Sequence, residues 1–402
     1  MLRIVADENI PLVAEAFGSF GSVQCVPATS LTRALVHDAD VLLVRSVTRV
    51  DEALVAGSRL RFVGSATIGA DHIDAAALDR AGIVFRHAPG SNAESVVEYV
   101  LAALLTLALR TGQPLREQQI GIIGCGNIGS RLAQRLPAFG ARVLPNDPPL
   151  AGAAAAEGRE HPYVSLERVL AECDVVTLHV PLTATGPHPT RHLMGAAALA
   201  QLRPDAWLLN TSRGAVVSNA ALRHALERGR MGEVVLDVWE GEPEPDSELL
   251  ALASLATPHI AGYSWDGKVR GTLMLYHALV QALGLESRWD TAAALASGPE
   301  DHLQLESPPP LPEFAWLHAL TRQLYDIEQD DARMRSLRAL PPAARAPAFR
   351  ALRRTYPRRR AFHRHVLPDR ALPEEFRAPV RDGLRISATA AVAAELRPRT
   401  GP

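Results

Sequence analysis

Short apolar runs alternate with amphipathic stretches from the first residues of the chain. The runs Leu2–Val5, Asp40–Val44 and Arg61–Val63 predict buried strands, and Pro11–Phe17 and Asp51–Ala56 between them have the spacing of helices. Strands that alternate with helices are typical of a parallel sheet covered on both faces. The chain up to about residue 90 is therefore predicted to form an α/β domain.

The same alternation returns after a long apolar stretch. Glu94–Leu109 is so apolar that we expect a buried helix that leads into a second domain. The apolar run before Gly124 and the alternation of strands and helices after it together predict a second doubly wound parallel sheet of about six strands. Its further elements are predicted as strands at Ala141–Leu144, Val175–Val180, Ala206–Asn210 and Glu233–Val238, and helices at Ser130–Leu136, Ser165–Ala171, Gly195–Leu202 and Asn219–Arg228.

The end of the chain changes in character. Gly271–Leu283 predicts a helix that returns to the first domain, which makes that domain discontinuous in sequence. Ser307–Pro312 predicts an extended linker, and Leu317–Leu324 predicts a helix beyond it. We therefore expect a substrate domain at 1–93 and 260–289, an inserted dinucleotide-binding domain at 94–259, and an extension at 290–402 with an Arg- and Pro-rich tail.

Composition excludes several classes of protein. The 402 residues are 47% apolar and 21% charged, and the formal net charge is −2, so no bulk charge favours nucleic acid or a membrane surface. Cys25, Cys125 and Cys173 are few and widely spaced, which argues against a disulfide framework and against a zinc cluster. We expect no bound metal.

The apolar segments also bear on location. Val96–Leu109 is too short for a membrane span and contains Glu98. Asp7 and Glu8 interrupt the apolar N-terminus, so no signal peptide is predicted. The sequence therefore predicts a cytoplasmic protein.

A basic stretch near the C-terminus invites a nucleic-acid interpretation. Arg353–Arg354 and Arg358–Arg360 are accompanied only by Tyr356 and Phe362, so the interleaved aromatic residues of a nucleic-acid surface are largely missing. Charge runs are usually solvated. We expect a solvated or subunit-facing basic surface, and no nucleic acid.

The glycine stretch Ile120–Gly129 carries the clearest chemical signal. Its Gly124-x-Gly126-x-x-Gly129 spacing lies between a predicted strand and a predicted helix, the arrangement that lets backbone N–H groups, including those of Asn127 and Ile128, approach a pyrophosphate. Asp147 follows the next apolar run, near the expected position of a carboxylate that binds a ribose hydroxyl. The stretch predicts a dinucleotide site.

Three polar residues follow successive predicted strands of the second sheet. Arg213, Glu242 and His259 should meet at the edge that the glycine loop also faces. An Arg can clamp a carboxylate, a His can take a hydroxyl proton, and a Glu can hold the second imidazole nitrogen. Beside a nicotinamide, this set favours oxidation of a 2-hydroxy acid to a 2-oxo acid.

Other strand ends leave two interpretations open. Asp237 can receive the nicotinamide amide or can be an ordinary turn residue. The segments Arg45–Thr48 and Gly64–Gly69, with Arg45, Ser46 and Thr67, suit a small anionic substrate but are equally consistent with solvated turns.

The chain carries a first set of longer motifs at the glycine loop, Asn210–Val217, Asp237–Pro243 and Thr257–Gly262. A second set lies at Val5–Pro11, Val44–Thr48, Pro89–Ala93, Gly262–Thr272 and Tyr325–Asp331. The first set resembles the D-isomer-specific 2-hydroxyacid dehydrogenases, and the second set resembles one branch of that family. The resemblance implies a Rossmann NAD domain inserted into a discontinuous substrate domain, and an extension that in this family's relevant branch forms a dimerisation domain. That branch oxidises a small phosphorylated 2-hydroxy acid in pyridoxine 5'-phosphate (vitamin B6) biosynthesis.

The resemblance also implies roles for individual residues. Arg213 and His259 would be catalytic, with Glu242 supporting His259. Ser46, Thr67 and Tyr263 would contact substrate, whereas Asp147, Val180, Ser212, Asp237 and Gly262 would line or adjoin the NAD site. Arg45, Lys268 and Arg270 are cations that could meet a phosphate.

The chain departs from the expected motifs at a few positions. Ser91 stands where Cys is expected, Ser218 where Asp is usual, and Val180 where Thr is more common. None of these changes removes a candidate catalytic group. Another phosphorylated 2-hydroxy acid such as 3-phosphoglycerate remains an alternative substrate, and a binding protein that senses NAD without turnover remains an alternative of another class.

Overall fold

The computed structural model of the protein describes residues 1–296, 305–309, 311–368 and 372–389. The described residues fall into two compact units, one within Met1–Glu94 and Tyr263–Glu300, the other within Ser95–Gly262 and Asp301–Pro402. Part of the predicted extension, and the end of the predicted basic tail at 390–402, lie outside the described residues.

The elements alternate along the chain as the apolar pattern predicts. The strands are β1 (Leu2–Asp7), β2 (Gly21–Val26), β3 (Val41–Val44), β4 (Phe62–Ser65), β5 (Val84–His87), β6 (Gln119–Ile123), β7 (Arg142–Asn146), β8 (Val175–Leu178), β9 (Trp207–Asn210), β10 (Val234–Leu236), β11 (Leu255–Ala256), β12 (Val366–Pro368) and β13 (Ser387–Thr389). The helices are α1 (Val13–Phe17), α2 (Arg33–Val36), α3 (Glu52–Val55), α4 (Ala75–Arg80), α5 (Ala93–Thr111), α6 (Gly129–Arg135), α7 (Pro148–Ala156), α8 (Leu166–Glu172), α9 (Ala196–Leu199), α10 (Asn219–Glu227), α11 (Ser247–Leu252), α12 (Trp265–Leu283), α13 (Thr291–Ala296), α14 (Glu313–Leu324), α15 (Ile327–Arg335) and α16 (Pro342–Arg354).

The first unit is built on a parallel sheet in the order β2-β1-β3-β4-β5. Every residue of β3 and β4 is buried, which explains why β3 is a continuous apolar run and why β4 starts with the apolar pair Phe62 and Val63. Helix α12 packs on this sheet through Leu275, Tyr276 and Leu279. The predicted return of the chain to the first domain is thus a helix that covers its sheet.

The second unit holds a parallel sheet in the order β11-β10-β9-β8-β6-β7. The strand order reverses between β6 and β8, and open α/β sheets bind their ligands outside the carboxyl ends of the strands at such a point. Two parallel-sheet α/β units with a C-terminal helical extension confirm the predicted fold class.

The C-terminal extension packs on the core of the second unit. Met334, Leu337 and Phe349 join the buried cluster that contains Leu236 and Ala256 of the sheet. Burial of large apolar side chains is the main contribution to the stability of such packing. The extension is therefore structurally continuous with the sheet edge at β10 and β11.

One expectation about the extension is wrong. Arg359 and Arg360, expected on a solvated or subunit-facing surface, are each only 7% exposed. The basic run in the sequence does not indicate this burial. An arginine can be buried when backbone carbonyls and aromatic faces surround it, and such partners come from distant parts of the chain.

No helix among the described residues combines the length and the apolar character needed to cross a membrane.

Candidate active site

The carboxyl ends of the six strands meet at one edge of the second unit's sheet. All neighbouring strands are parallel, so the segments that follow them lie along the same edge. These segments carry the glycine loop (Gly124, Gly126, Asn127, Ile128, Gly129) after β6, Asp147 after β7, Val180 after β8, Ser212 and Arg213 after β9, Asp237 and Glu242 after β10, and His259 and Gly262 after β11.

The glycine loop is shaped by close backbone approaches. Gly124 has a φ of 89°, and a Cβ there would lie 2.7 Å from the carbonyl oxygen of His179 and 2.8 Å from Val180. A Cβ on Gly129 would lie 2.0 Å from the carbonyl oxygen of Gly124. A Cβ on Gly126 would meet open space, so the backbone there is accessible to a pyrophosphate. The loop fits a dinucleotide.

Asp147 is tied to the glycine loop. Its Oδ1 accepts from the backbone N–H of Leu150 at 3.0 Å and begins α7, while Oδ2 accepts from the N–H of Cys125 at 2.8 Å. Burial and the neighbouring Asp147 raise the pKa of the Cys125 thiol to about 12, so the thiol stays protonated. A carboxylate oxygen has further lone pairs, so Asp147 can still accept from a ribose hydroxyl.

The Arg213 loop is organised by the last residue of β9. The Asn210 amide nitrogen donates to the carbonyl of Arg213 at 3.0 Å, and its Oδ1 accepts from the backbone N–H and the hydroxyl of Ser212 at 3.1 and 2.8 Å. A Cβ on Gly214 would lie 2.0 Å from the backbone of Trp239. Glycine at this position lets the Arg213 loop approach the segment after β10.

Glu242 and His259 form a direct pair. Glu242 Oε2 lies 2.8 Å from His259 Nδ1, and Glu242 Oε1 accepts from the N–H of Trp239 at 2.8 Å. Burial raises the pKa of Glu242, but His259, the Trp239 N–H and Arg353 together outweigh burial and lower it below its ordinary value. The carboxylate therefore holds Nδ1 and leaves Nε2 of the imidazole for a substrate hydroxyl.

The depressed pKa of Glu242 gives a pH-dependent prediction. A carboxyl whose folded-state pKa is lowered stabilises the fold above its unfolded value of about 4.3, and that contribution is lost as pH falls through the folded value. The Glu242→Gln variant should thus have a lower free energy of unfolding at neutral pH. Urea titrations should show this difference shrinking as the medium is acidified; a difference that stays constant or grows would contradict the assignment.

Asp237 holds the backbone at the histidine and at the two residues that follow it. Its carbonyl accepts from the N–H of His259 at 2.7 Å, and its carboxylate accepts from the N–H groups of Ile260 at 2.7 Å and Ala261 at 3.0 Å. Asp237 is 1% exposed, so these bonds are in a dry environment. Its predicted contact with the nicotinamide stays a prediction beside this structural role.

Two residues near Asp237 were missed by the sequence analysis. Thr257 donates its hydroxyl to Asp237 Oδ1 at 2.6 Å, and the Tyr99 hydroxyl lies 2.7 Å from that of Thr257. Thr257 begins the motif Thr257–Gly262, which also contains His259, so the motif was a usable signal for it. Tyr99 lies inside an apolar helix 158 positions away, and no spacing pattern points to it.

The substrate-side candidates belong to the first unit. Arg45 follows β3, and its Nε lies 3.1 Å from Oδ2 of the fully buried Asp7, an orienting partner that sequence spacing did not indicate. Ser46 beside it is exposed, and Thr67 is bonded to the Ser65 hydroxyl at 2.8 Å after β4. These groups follow neighbouring strands of one parallel sheet, as predicted.

Tyr263 lies just before α12, also in the first unit. The Lys268 ammonium lies 4.5 Å from the centre of the Tyr263 ring. A cation over an aromatic face is favourable and restrains both groups.

Comparisons with known families match the two parts of the second unit separately. Residues 104–261 match the family described as D-isomer specific 2-hydroxyacid dehydrogenase, NAD binding domain. Residues 304–374, in the C-terminal extension, match a domain of unknown function, DUF3410.

Whole-chain relatives are close. The erythronate-4-phosphate dehydrogenase of Salinibacter ruber is 55% identical over 386 residues, which are 96% of this chain and 98% of the relative. The enzyme of the same name from Pseudomonas putida is 49% identical over 89% of this chain and 93% of the relative. A solved structure, D-lactate dehydrogenase from Aquifex aeolicus complexed with NAD and lactic acid, is 27% identical with a TM-score of 0.59 and covers 70% of this chain and 96% of its own.

Proposed function

Because this chain belongs to the erythronate-4-phosphate dehydrogenases, within the D-isomer-specific 2-hydroxyacid dehydrogenase family, we propose that it oxidises 4-phospho-D-erythronate. The product is (R)-3-hydroxy-2-oxo-4-phosphooxybutanoate, and NAD is the cofactor. The reaction is a step of pyridoxine 5'-phosphate (vitamin B6) biosynthesis. The observation that carries the proposal is the 2.8 Å Glu242–His259 pair at the sheet edge that also holds the glycine loop.

The residues at this edge have complementary tasks in the oxidation. His259 accepts the proton of the C2 hydroxyl at Nε2, while the C2–H bond breaks and the C2–O bond becomes a carbonyl. Glu242 keeps the imidazole oriented and stabilises the imidazolium that forms. Arg213 binds the substrate carboxylate through two parallel N–H···O bonds. NAD, when bound, accepts the hydride that leaves C2.

The remaining predicted residues would bind and orient the reactants. The glycine loop with Gly126 would hold the cofactor's pyrophosphate, and Asp147 would hold its ribose. The other residues beside the cofactor would be Val180, Ser212, Asp237 and Gly262. From the first unit, Ser46, Thr67 and Tyr263 would contact the substrate. Arg45, oriented by Asp7, is well suited to a phosphate because Asp7 engages only its Nε.

The alternatives are less well supported. Oxidation of 3-phosphoglycerate uses the same catalytic groups, but the relatives at 55% and 49% identity are both named for erythronate 4-phosphate. A protein that senses NAD without turnover has no need of an imidazole held by a buried carboxylate. The retained Glu242–His259 contact favours the enzyme.

A substrate panel tests the proposed function. Purified protein with NAD is followed by NADH absorbance on 4-phospho-D-erythronate, 3-phosphoglycerate and unphosphorylated erythronate. We expect the highest kcat/KM on 4-phospho-D-erythronate. A higher kcat/KM on 3-phosphoglycerate would make that compound the substrate. NAD binding without turnover of any of the three compounds would favour a protein that senses NAD.

Asp147 predicts the choice of cofactor. Its carboxylate, placed against the loop, repels a 2'-phosphate, so NADP should bind more weakly than NAD. Asp147→Asn retains an oxygen to cap α7 but removes the charge, and should relax the preference for NAD by about tenfold, or about 1.4 kcal/mol. Fluorescence titration of wild type and variant with both cofactors measures it; equal preference in the two proteins would contradict this role.

We also infer a cytoplasmic homodimer. The cytoplasmic location rests on the scarcity of cysteine, which is typical of proteins from a reducing compartment. The homodimer rests on the family resemblance of the extension. Sedimentation equilibrium of the full chain should give twice the monomer mass; a monomer over the whole concentration range would exclude it.

A further inference from the structure

The segment that carries the candidate catalytic histidine is bonded at both ends by the C-terminal extension. At its start, the backbone N–H of Ala256 donates to Asp331 Oδ1 at 2.8 Å. At its end, the carbonyl of Ala261 accepts from Arg359 Nη2 at 3.3 Å. His259 lies between these two attachment points, so the extension fixes the path of the backbone on either side of it.

The first attachment is itself braced. Asp331 is 8% exposed, and its Oδ2 accepts from Arg335 Nε at 2.8 Å. Arg335 also donates to the carbonyls of Ala253 at 2.6 Å and Leu250 at 3.1 Å, on the approach to β11. One carboxylate and one guanidinium of α15 thus bond the backbone from Leu250 to Ala256 in a single connected network.

The second attachment is braced by different groups. The Arg359 guanidinium lies 4.2 Å from the centre of the Tyr325 ring, and its Nη2 donates to the carbonyl of Ser95 as well as to that of Ala261, each at 3.3 Å. A planar guanidinium can stack on a ring and bond two carbonyls at once, which an ammonium cannot do in the same geometry. Arg359 therefore links α5, Tyr325 just after α14, and the end of the histidine segment.

The backbone of His259 needs such support. Its φ of 59° lies in the left-handed region, which a residue with a Cβ adopts only when its surroundings enforce it. Asp237 bonds the middle of the segment, and the extension bonds both ends. If either end were released, the imidazole would be free to move away from Glu242.

We propose that Asp331 and Arg359 are positioning residues for His259, and that the extension matched by the domain of unknown function holds the catalytic segment in its active geometry. This inference rests on the proposed function, because it assigns His259 the proton transfer. Neither residue contacts a reacting atom; each acts through the backbone of the segment.

The test uses a truncating and a conservative variant at each position. Asp331→Ala and Arg359→Met remove the attachments, and should lower kcat roughly 10- to 100-fold, the range expected when a catalytic group is slightly misplaced. NAD affinity should stay unchanged. Asp331→Asn keeps an acceptor and Arg359→Lys keeps a cation, so each should recover part of the lost kcat. Rates are expressed per NAD-binding site, which removes the contribution of unfolded protein.

Arg345→Met is the matched control. Arg345 is an arginine of the same extension that bonds the same unit, through the Ser247 hydroxyl at 2.6 Å, but away from the histidine segment. It should lower thermal stability without changing kcat. In the Asp331 and Arg359 variants, but not in Arg345→Met, the primary isotope effect on kcat with C2-deuterated substrate should rise, because the chemical step becomes slower.

The outcomes separate the inference from the proposed function. Wild-type kcat in Asp331→Ala and Arg359→Met would overturn the inference, as would a similar loss of kcat in Arg345→Met. If Asp331→Ala and Arg359→Met fail to fold, Asp331→Asn and Arg359→Lys take their place, and wild-type kcat in both would overturn the inference. If the wild type itself does not turn over 4-phospho-D-erythronate, the proposed function fails. A crystal structure of Asp331→Ala then tests positioning alone, which predicts a lost Glu242–His259 hydrogen bond; a retained one would overturn it.

Discussion

Replacing His259 with Asn should lower kcat on 4-phospho-D-erythronate by about 10³-fold, because positioned proton transfer contributes on the order of 10² to 10⁴ to enzymatic rates. Asn is a suitable replacement, since it tolerates the left-handed backbone that His259 adopts at a φ of 59°. NAD affinity should be retained because the glycine loop and Asp147 are untouched. Steady-state rates and a fluorescence titration with NAD measure the two quantities.

His192→Asn provides a closely matched control. His192 also has a positive φ, 51°, and also pairs with a carboxylate, Glu240, at 2.6 Å, but its side chain is 41% exposed and belongs to the turn before α9. Its replacement should leave kcat unchanged. If His259→Asn kept the wild-type rate, or if His192→Asn lost as much activity, proton transfer by His259 would be wrong.

Replacing Arg213 with Lys should lower kcat/KM by on the order of 10² to 10³, or about 3–4 kcal/mol, because a point charge cannot reproduce a bidentate carboxylate clamp. Arg213→Lys leaves in place the Asn210 bond to the Arg213 carbonyl and the close approach at Gly214, although it loses the bond from Arg213 Nη1 to the Ser212 carbonyl at 2.8 Å. The loss should therefore appear with both cofactor binding and stability preserved.

Arg203→Lys is a suitable comparison for Arg213. Arg203 pairs with Asp174 at 3.1 Å in the same unit, but its side chain is 47% exposed and it lies before β9 rather than after it. Surface ion pairs of this kind contribute little. Wild-type kcat/KM in Arg213→Lys would remove Arg213 from substrate binding.

Much of the fold followed from the apolar pattern because its strands are buried on both faces. β3 is a continuous apolar run for that reason, and β8 and β9 are apolar except at Thr177 and Asn210. β2 was missed because it is an edge strand with exposed polar positions. The predicted start of α12 at Gly271 is too late, because the first turns of the helix are polar. The helix begins at Trp265, and the Ser264 hydroxyl caps it by accepting from the N–H of Gly267 at 3.0 Å.

The placement of the candidate residues after strands of one sheet could be predicted for a different reason. Parallel strands end at one edge, so Arg213, Glu242 and His259 could be expected to lie together from their positions after successive strands. Contacts from the extension could not be predicted in this way. Asp331 bonds Ala256 from 75 positions away, and Arg359 looked like part of a solvated basic run. Such contacts depend on packing between elements, which local spacing does not encode.

In the proposed reaction, this chain removes a hydride from C2 of 4-phospho-D-erythronate and transfers it to NAD. The direct measurement is a reaction with substrate deuterated at C2, followed by mass spectrometry of the reduced cofactor and of the four-carbon product. Deuterium in the reduced nicotinamide, together with a 2-oxo product that retains its phosphate, is the predicted result. Substrate that keeps its C2 deuterium while the wild-type protein binds NAD would contradict the account.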